Sequence, residues 1–88
     1  MMELAVPIVN SLGLHARPAA EFVKIANRFT SSIAVRKDAL EVNGKSIMGM
    51  MMLAAEQGSA LTIRANGDDA AAALDALSAL VRAGFGED

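Results

Sequence analysis

Apolar and polar positions alternate with a period of two from Met2 to Val9, with Leu4, Val6 and Ile8 on one face and Ala5, Pro7 and Val9 on the other. That period predicts a β-strand. Pro7 has no N–H to give to a ladder, so the strand belongs at a sheet edge. From Ala16 to about Phe29 the period lengthens to that of a helix: Ala19, Phe22, Val23, Ala26 and Phe29 line one side, Glu21, Lys24 and Arg28 the other. Alternation returns in Ser32–Lys37 and, after a turn at Lys37-Asp38, in Ala39–Val42, which predicts a hairpin closed by Asn43-Gly44. Ser46 stands where it can cap a short helix running from Ile47 to about Ala55 and ended by Gln57-Gly58. Ala60–Ala65 reads as a fourth strand with Leu61 and Ile63 inward. Asn66-Gly67-Asp68 then turns the chain into a last helix, Asp69 to about Ala83, with a stripe of Ala70, Ala73, Leu74, Leu77 and Val81 and with Leu80 at its margin. Gly84 sits where a helix-ending glycine belongs, and the Asp68–Asp69 and Arg82 charges suit the helix dipole.

The element order is βαββαβα. Four strands with helices that must all cover one face predict a single domain over residues 1–88. Its class is α+β, a two-layer open-faced sandwich with the other sheet face open to water. Composition agrees: 53% of residues are hydrophobic and 20% charged, far from the profile of a disordered chain. It also excludes functions. Without cysteine there is no disulfide scaffold and no thiolate metal or redox site. Three phenylalanines are the only aromatic residues and the net charge is −2, so neither base stacking nor phosphate-backbone binding is supported. No apolar run is long enough to span a membrane and the N-terminus does not read as an export signal, so a cytoplasmic location is expected.

Charge is uneven along the chain. Up to residue 46 the basic side chains are Arg17, Lys24, Arg28, Arg36, Lys37 and Lys45, against Glu3, Glu21, Asp38 and Glu41; beyond it acids dominate. The single histidine, His15, lies in the basic half, within Leu12-Gly13-Leu14-His15-Ala16-Arg17-Pro18-Ala19-Ala20. Proline is tolerated only in the first turn of a helix, so Pro18 sets the helix start and leaves His15 at the N-cap. Such a terminus offers the free N–H groups of Ala16 and Arg17 and about half a positive charge, a ready place for phosphate. Arg17 adds a permanent cationic fork. Histidine adds a nucleophilic ring nitrogen, mostly neutral near pH 7. These are the parts needed to accept a phosphoryl group.

The same residues are recognisable. Gly13-Leu14-His15-Ala16-Arg17-Pro18-Ala19-Ala20 resembles the active-site signature of the histidine-containing phosphocarrier (HPr) family of the bacterial phosphoenolpyruvate-dependent phosphotransferase system. Lys45-Ser46-Ile47-Met48-Gly49 resembles that family's second motif. The resemblance covers the whole chain and implies an antiparallel sheet of order 1-4-2-3. It implies that His15 is phosphorylated by enzyme I, on Nδ1, that Arg17 positions the phosphate, and that an enzyme IIA-type acceptor receives the group. It implies a monomeric carrier rather than a turnover enzyme, with no cofactor and no metal. Many family members have a small polar residue where this chain has Leu12; with the tail Gly84-Phe85-Gly86-Glu87-Asp88, that departure looks like the nitrogen-related branch.

Two further features carry expectations. Ser46 is a helix cap on its own account, and the resemblance makes it a regulatory phosphorylation site where an HPr kinase/phosphorylase exists. Met48, Met50, Met51 and Met52 cannot all face inward from one short helix. About two of them should fill the core, leaving an exposed apolar patch for partners. By resemblance, Ala20, Ile47, Met48, Met51 and Met52 form that docking surface. A regulatory binding domain of the same fold, controlled through Ser46, is the alternative. Effector-, metal- or RNA-binding domains of related topology lack support, since the chain has neither paired cysteines nor aromatic residues on strands. With one histidine, no second acid–base partner beside it in sequence and no room for a substrate pocket, a turnover enzyme is not expected.

Overall fold

The computed structural model describes Met2–Glu87; Met1 and Asp88, the last residue of the tail motif, lie outside the described residues. The chain runs β1 (Met2–Pro7), α1 (Ala16–Ala26), β2 (Ser32–Lys37), β3 (Leu40–Asn43), α2 (Ile47–Met52), β4 (Ala60–Asn66) and α3 (Ala70–Arg82), followed by a 3-10 turn at Gly84–Gly86. The four strands form one antiparallel sheet of order β1-β4-β2-β3, so the expected sandwich and strand order hold and β1, with Pro7, is an edge.

Register explains which face is covered. Val6 lies opposite Leu61, Leu4 opposite Ile63, and Val35 opposite both Ile63 and Val42, so the apolar members of every strand share one face. Against it pack Ala19, Phe22, Val23 and Ala26 of α1, Met50 of α2, and Ala70, Ala73, Leu74, Leu77 and Val81 of α3, all buried. Each fully buried large apolar side chain here contributes about 1.5–3 kcal/mol. The opposite face is polar, with Arg64 paired to Glu41 at 2.6 Å and to Glu3 at 3.5 Å across the strands.

Three ends differ from expectation by two residues or more, the others by at most one. Helix α1 stops at Ala26 rather than Phe29, because the N–H groups of Arg28 and Phe29 reach only three residues back, to Ile25 and Ala26. Helix α2 stops at Met52 rather than Ala55, because Ala54 turns left-handed with φ 48°. Strand β1 stops at Pro7 rather than Val9, although Ile8 still donates to Ser59 O at 2.8 Å and accepts from Gly58 N–H at 2.9 Å. Beyond α3, Gly84, Phe85 and Gly86 are all left-handed, with φ of 66°, 58° and 77°. Glycine takes that conformation freely. For Phe85 it costs about 1–2 kcal/mol, offset by burial of the ring.

Asp69 serves α3 differently from a usual N-cap. Its carboxylate makes no bond to its own helix. Instead it spans to the α1–β2 connection, accepting from the N–H groups of Thr30 and Ser31, each at 2.9 Å, and from both their hydroxyls. The Ser31 hydroxyl first, and then the Thr30 N–H, hold its pKa at about 2, below the ordinary 3.8. A carboxylate with a lowered folded-state pKa stabilises the fold above its unfolded value, and loses that contribution as pH falls through the folded one. The wild type should therefore lose stability between about pH 4 and pH 2 through this group. Asp69→Asn should be less stable at neutral pH and flatter across that window. Denaturant midpoints as a function of pH check this; parallel curves for the two proteins would contradict it.

Candidate functional site

The segment between β1 and α1 is held by backbone contacts that only this sequence pattern permits. Asn10 to Gly13 closes as a turn: Gly13 N–H donates to Asn10 O at 3.2 Å, and the Asn10 amide donates back to Gly13 O at 2.7 Å. Gly13 has φ 70°, and a Cβ on it would lie 2.5 Å from the carbonyl oxygen of Ala55, so no side chain fits. The next residue, Leu14, is buried and donates its N–H to that same carbonyl at 2.8 Å. This fixes His15 as the N-cap of α1, with φ −87° and ψ −170°, and its carbonyl accepts from Ala19 N–H at 3.0 Å. Pro18 lies buried in the first turn, where the sequence required it. Among the described residues the N–H groups of Ala16 and Arg17 have no acceptor. They are the unpaired donors of the α1 terminus.

The imidazole makes no cap bond to those donors. Its Nε2 lies 3.0 and 2.9 Å from the two carboxylate oxygens of Glu87. One of these oxygens also accepts from the Asn10 amide at 3.0 Å. So an acidic partner does stand beside His15, delivered from the far end of the chain. Neither Glu87 nor Asn10 was among the expected site residues. The Gly-Phe-Gly pattern just past a helix end was the available signal for the first, since two glycines around an aromatic anchor predict a tight reversal. For Asn10 the only signal was a polar residue one step beyond the apolar face of a strand.

Arg17 is exposed, and among the described residues it makes no hydrogen bond or ion pair. With Ser11, Leu12, Glu21, Phe85, Gly86 and Glu87 it lines an open cleft of about 500 Å³. That corrects the expectation that so short a chain leaves no room for a pocket: the tail, not the sandwich, supplies one wall. The His15 side chain is 37% exposed and that of Glu87 18%, so the ring remains reachable.

The second motif forms as expected. The Ser46 hydroxyl accepts from Gly49 N–H at 3.0 Å and caps α2. Of the four methionines only Met50 enters the core, one fewer than expected, because the short helix gives just one inward position. Met48 is 77% exposed, Met52 66% and Leu12 74%, while Ile47 and Met51 are exposed to a lesser degree. Ala20 is half-buried on α1, the helix against which α2 packs. Among the described residues no group of three or more His, Asp or Glu is arranged to hold a metal ion.

Comparison with known proteins places these features in a family. Residues 2–83 match the family model described as "PTS HPr component phosphorylation site". The chain is 45% identical over 87 residues to the phosphocarrier protein HPr of Neisseria meningitidis, covering 99% of this chain and 98% of that one. The crystal structure of an HPr from Thermoanaerobacter tengcongensis superposes with a TM-score of 0.95 at 49% identity, over 100% of this chain and 99% of that one. A crystal structure of the Bacillus subtilis catabolite-repression protein Crh, described as a dimer with a swapping domain, superposes with a TM-score of 0.77 at 46% identity, over 96% and 97% of the two chains.

Proposed function

This chain belongs to the HPr phosphocarrier family, and from that premise we propose that His15 accepts a phosphoryl group from enzyme I and passes it to an enzyme IIA-type acceptor. The observation that carries the reading is the placement of a half-exposed imidazole at the head of α1, beside two N–H groups without acceptors and the unpaired guanidinium of Arg17. A ring nitrogen attacks the phosphorus of the donor. The new P–N bond forms as the donor's bond to phosphorus breaks, and the second transfer reverses these steps on the acceptor. Arg17 and the Ala16 and Arg17 N–H groups suit the phosphoryl oxygens, whose charge is spread over three positions. One chain supplies every part of the site, so the carrier is read as a monomer, working in the cytoplasm without a cofactor. Leu12, the departure that looked like the nitrogen-related branch, is exposed on the rim of the cleft, where it bears on the choice of acceptor.

Incubation with enzyme I, phosphoenolpyruvate and magnesium should add one acid-labile phosphoryl mass to the intact protein, and none to His15→Ala. Absence of the gain with an enzyme I active on another carrier, from either the sugar or the nitrogen branch, would refute the reading.

Ile47, Met48, Met51 and Met52, with Ala20 on the neighbouring helix, form the proposed docking surface. Exposed methionines bend to fit more than one partner. Met48→Ala and Met51→Ala should raise the Kd for enzyme I while changing folding stability by less than about 1 kcal/mol. Titration calorimetry and denaturant melts separate the two effects; a large stability loss with unchanged affinity would assign these side chains to the core.

Ser46 is proposed as a regulatory site. A phosphate there would add about −1.5 to −2 charges beside the methionine patch, repelling a partner that arrives carrying phosphate. An HPr kinase with ATP should modify Ser46 and slow the phosphorylation of His15. Mass spectrometry showing Ser46 unmodified by a kinase active on another HPr would count against it.

A further inference from the structure

We infer that Asn10 and Glu87 are positioning residues for His15: together they hold the neutral ring with its proton on Nε2, leaving the lone pair on Nδ1 as the nucleophile. The inference rests on the carrier reading and adds to it what selects the reacting nitrogen. Nε2 faces both carboxylate oxygens of Glu87, at 3.0 and 2.9 Å. An ionised carboxylate only accepts hydrogen bonds, so the nitrogen facing it must be the donor. In a neutral imidazole the other nitrogen then carries the lone pair.

The carboxylate is itself held from behind. The Asn10 amide nitrogen donates to Glu87 Oε1 at 3.0 Å and to Gly13 O at 2.7 Å, and these two acceptors fix which way the amide points. Asn10 is fully buried, and its Oδ1 is shielded from solvent without a hydrogen-bond partner among the described residues. A buried acceptor left unpaired is unfavourable, so the residue is placed for its two N–H bonds. The tail that brings Glu87 is anchored at the same point. A Cβ on Gly84 would stand 3.6 Å from Asn10 Cβ and 3.7 Å from Val9 Cγ2, so the tail passes close beside that segment; the Phe85 ring is buried, and the left-handed run through Gly86 turns the chain back toward His15.

The chemistry uses this bond without moving its proton. As Nδ1 bonds to phosphorus the ring gains positive charge. The Nε2–H···carboxylate bond, until then charged on the acceptor side alone, gains charge on the donor as well and is stronger than in the starting ring. Glu87 therefore favours the transition state over the ground state.

Nitrogen-15 NMR of the unphosphorylated ring, under conditions where it is neutral, reports the tautomer directly. The wild type should show the Nε2–H form; Glu87→Ala should show a mixture, and Asn10→Ala a smaller shift the same way. Glu87→Ala keeps the Asn10–Gly13 bond, so its effect cannot come from loosening that turn. In steady-state transfer from enzyme I it should lower kcat roughly tenfold with KM unchanged, since the docking surface is untouched. Glu87→Gln, whose amide oxygen still accepts from Nε2, should recover most of that loss. A wild-type ring protonated on Nδ1, a Glu87→Ala ring with the wild-type tautomer, or a changed tautomer without a change in kcat would each overturn the inference. If the wild type took no phosphate at all, the carrier reading would fall; the tautomer spectra would still decide whether Asn10 and Glu87 set the ring.

Discussion

The carbonyl of Ala55 is the point from which the His15 end of the molecule is organised. It accepts the N–H of Leu14, and it passes so close to Gly13 that only hydrogen fits there. This pins the start of α1 against the segment that leaves α2, far along the chain. With the start of α1 fixed, the histidine, the free N–H groups behind it and the apolar surface of α2 come to one side. The sheet order demands such a crossing, because β4 lies between β1 and β2 and the α2–β4 connection must return past the end of β1. A functional loop built this way is ordered by backbone contacts, and its side chains remain free for chemistry.

A carrier has a different requirement from an enzyme. It must accept a group and give it up again, so neither state should lie much lower in free energy than the other. The arrangement around His15 suits that need. The Arg17 guanidinium and N–H donors that have no acceptor among the described residues would suit a phosphoryl group, while a carboxylate occupies Nε2 of the ring. The ring is also partly open to water and to a partner. A closed, fully cationic cage would hold phosphate more tightly and slow its release.

Much of this was legible in the sequence because local chemistry decided it. Pro18 set the start of α1, Ser46 that of α2 and Gly84 the end of α3; Pro7 put β1 at the edge. Alternation gave the inward face of the strands, since a slip of one residue would expose every core side chain. What could not be read depended on contacts distant along the chain. Glu87 lies 72 residues from His15, and no periodicity connects them. Asn10 has no local signature beyond being polar. The early end of α2 depends on a left-handed Ala54, a residue with no intrinsic preference for that conformation. Asp69 reads locally as the first residue of α3, with a charge suited to the helix dipole, but it sits at the N-cap and its carboxylate ties α3 to the chain leaving α1. For Asp69 a side chain with a good local reason for one role was taken by a tertiary partner for another.

The proposed chemistry and the proposed regulation draw on different segments. His15 is oriented from Asn10 and the tail after α3; Ser46 caps α2, whose exposed residues form the proposed docking surface. Charge added at Ser46 would therefore act first on whether a partner can approach, and the hydrogen bonds that orient the ring lie outside its helix. Conversely, loss of Glu87 leaves α2 and its methionines unchanged, so a defect in transfer need not be a defect in binding. Small carriers gain from this separation. If one exposed surface serves every partner, adjusting access there would alter the flow of phosphate without retuning the nucleophile that all of them share.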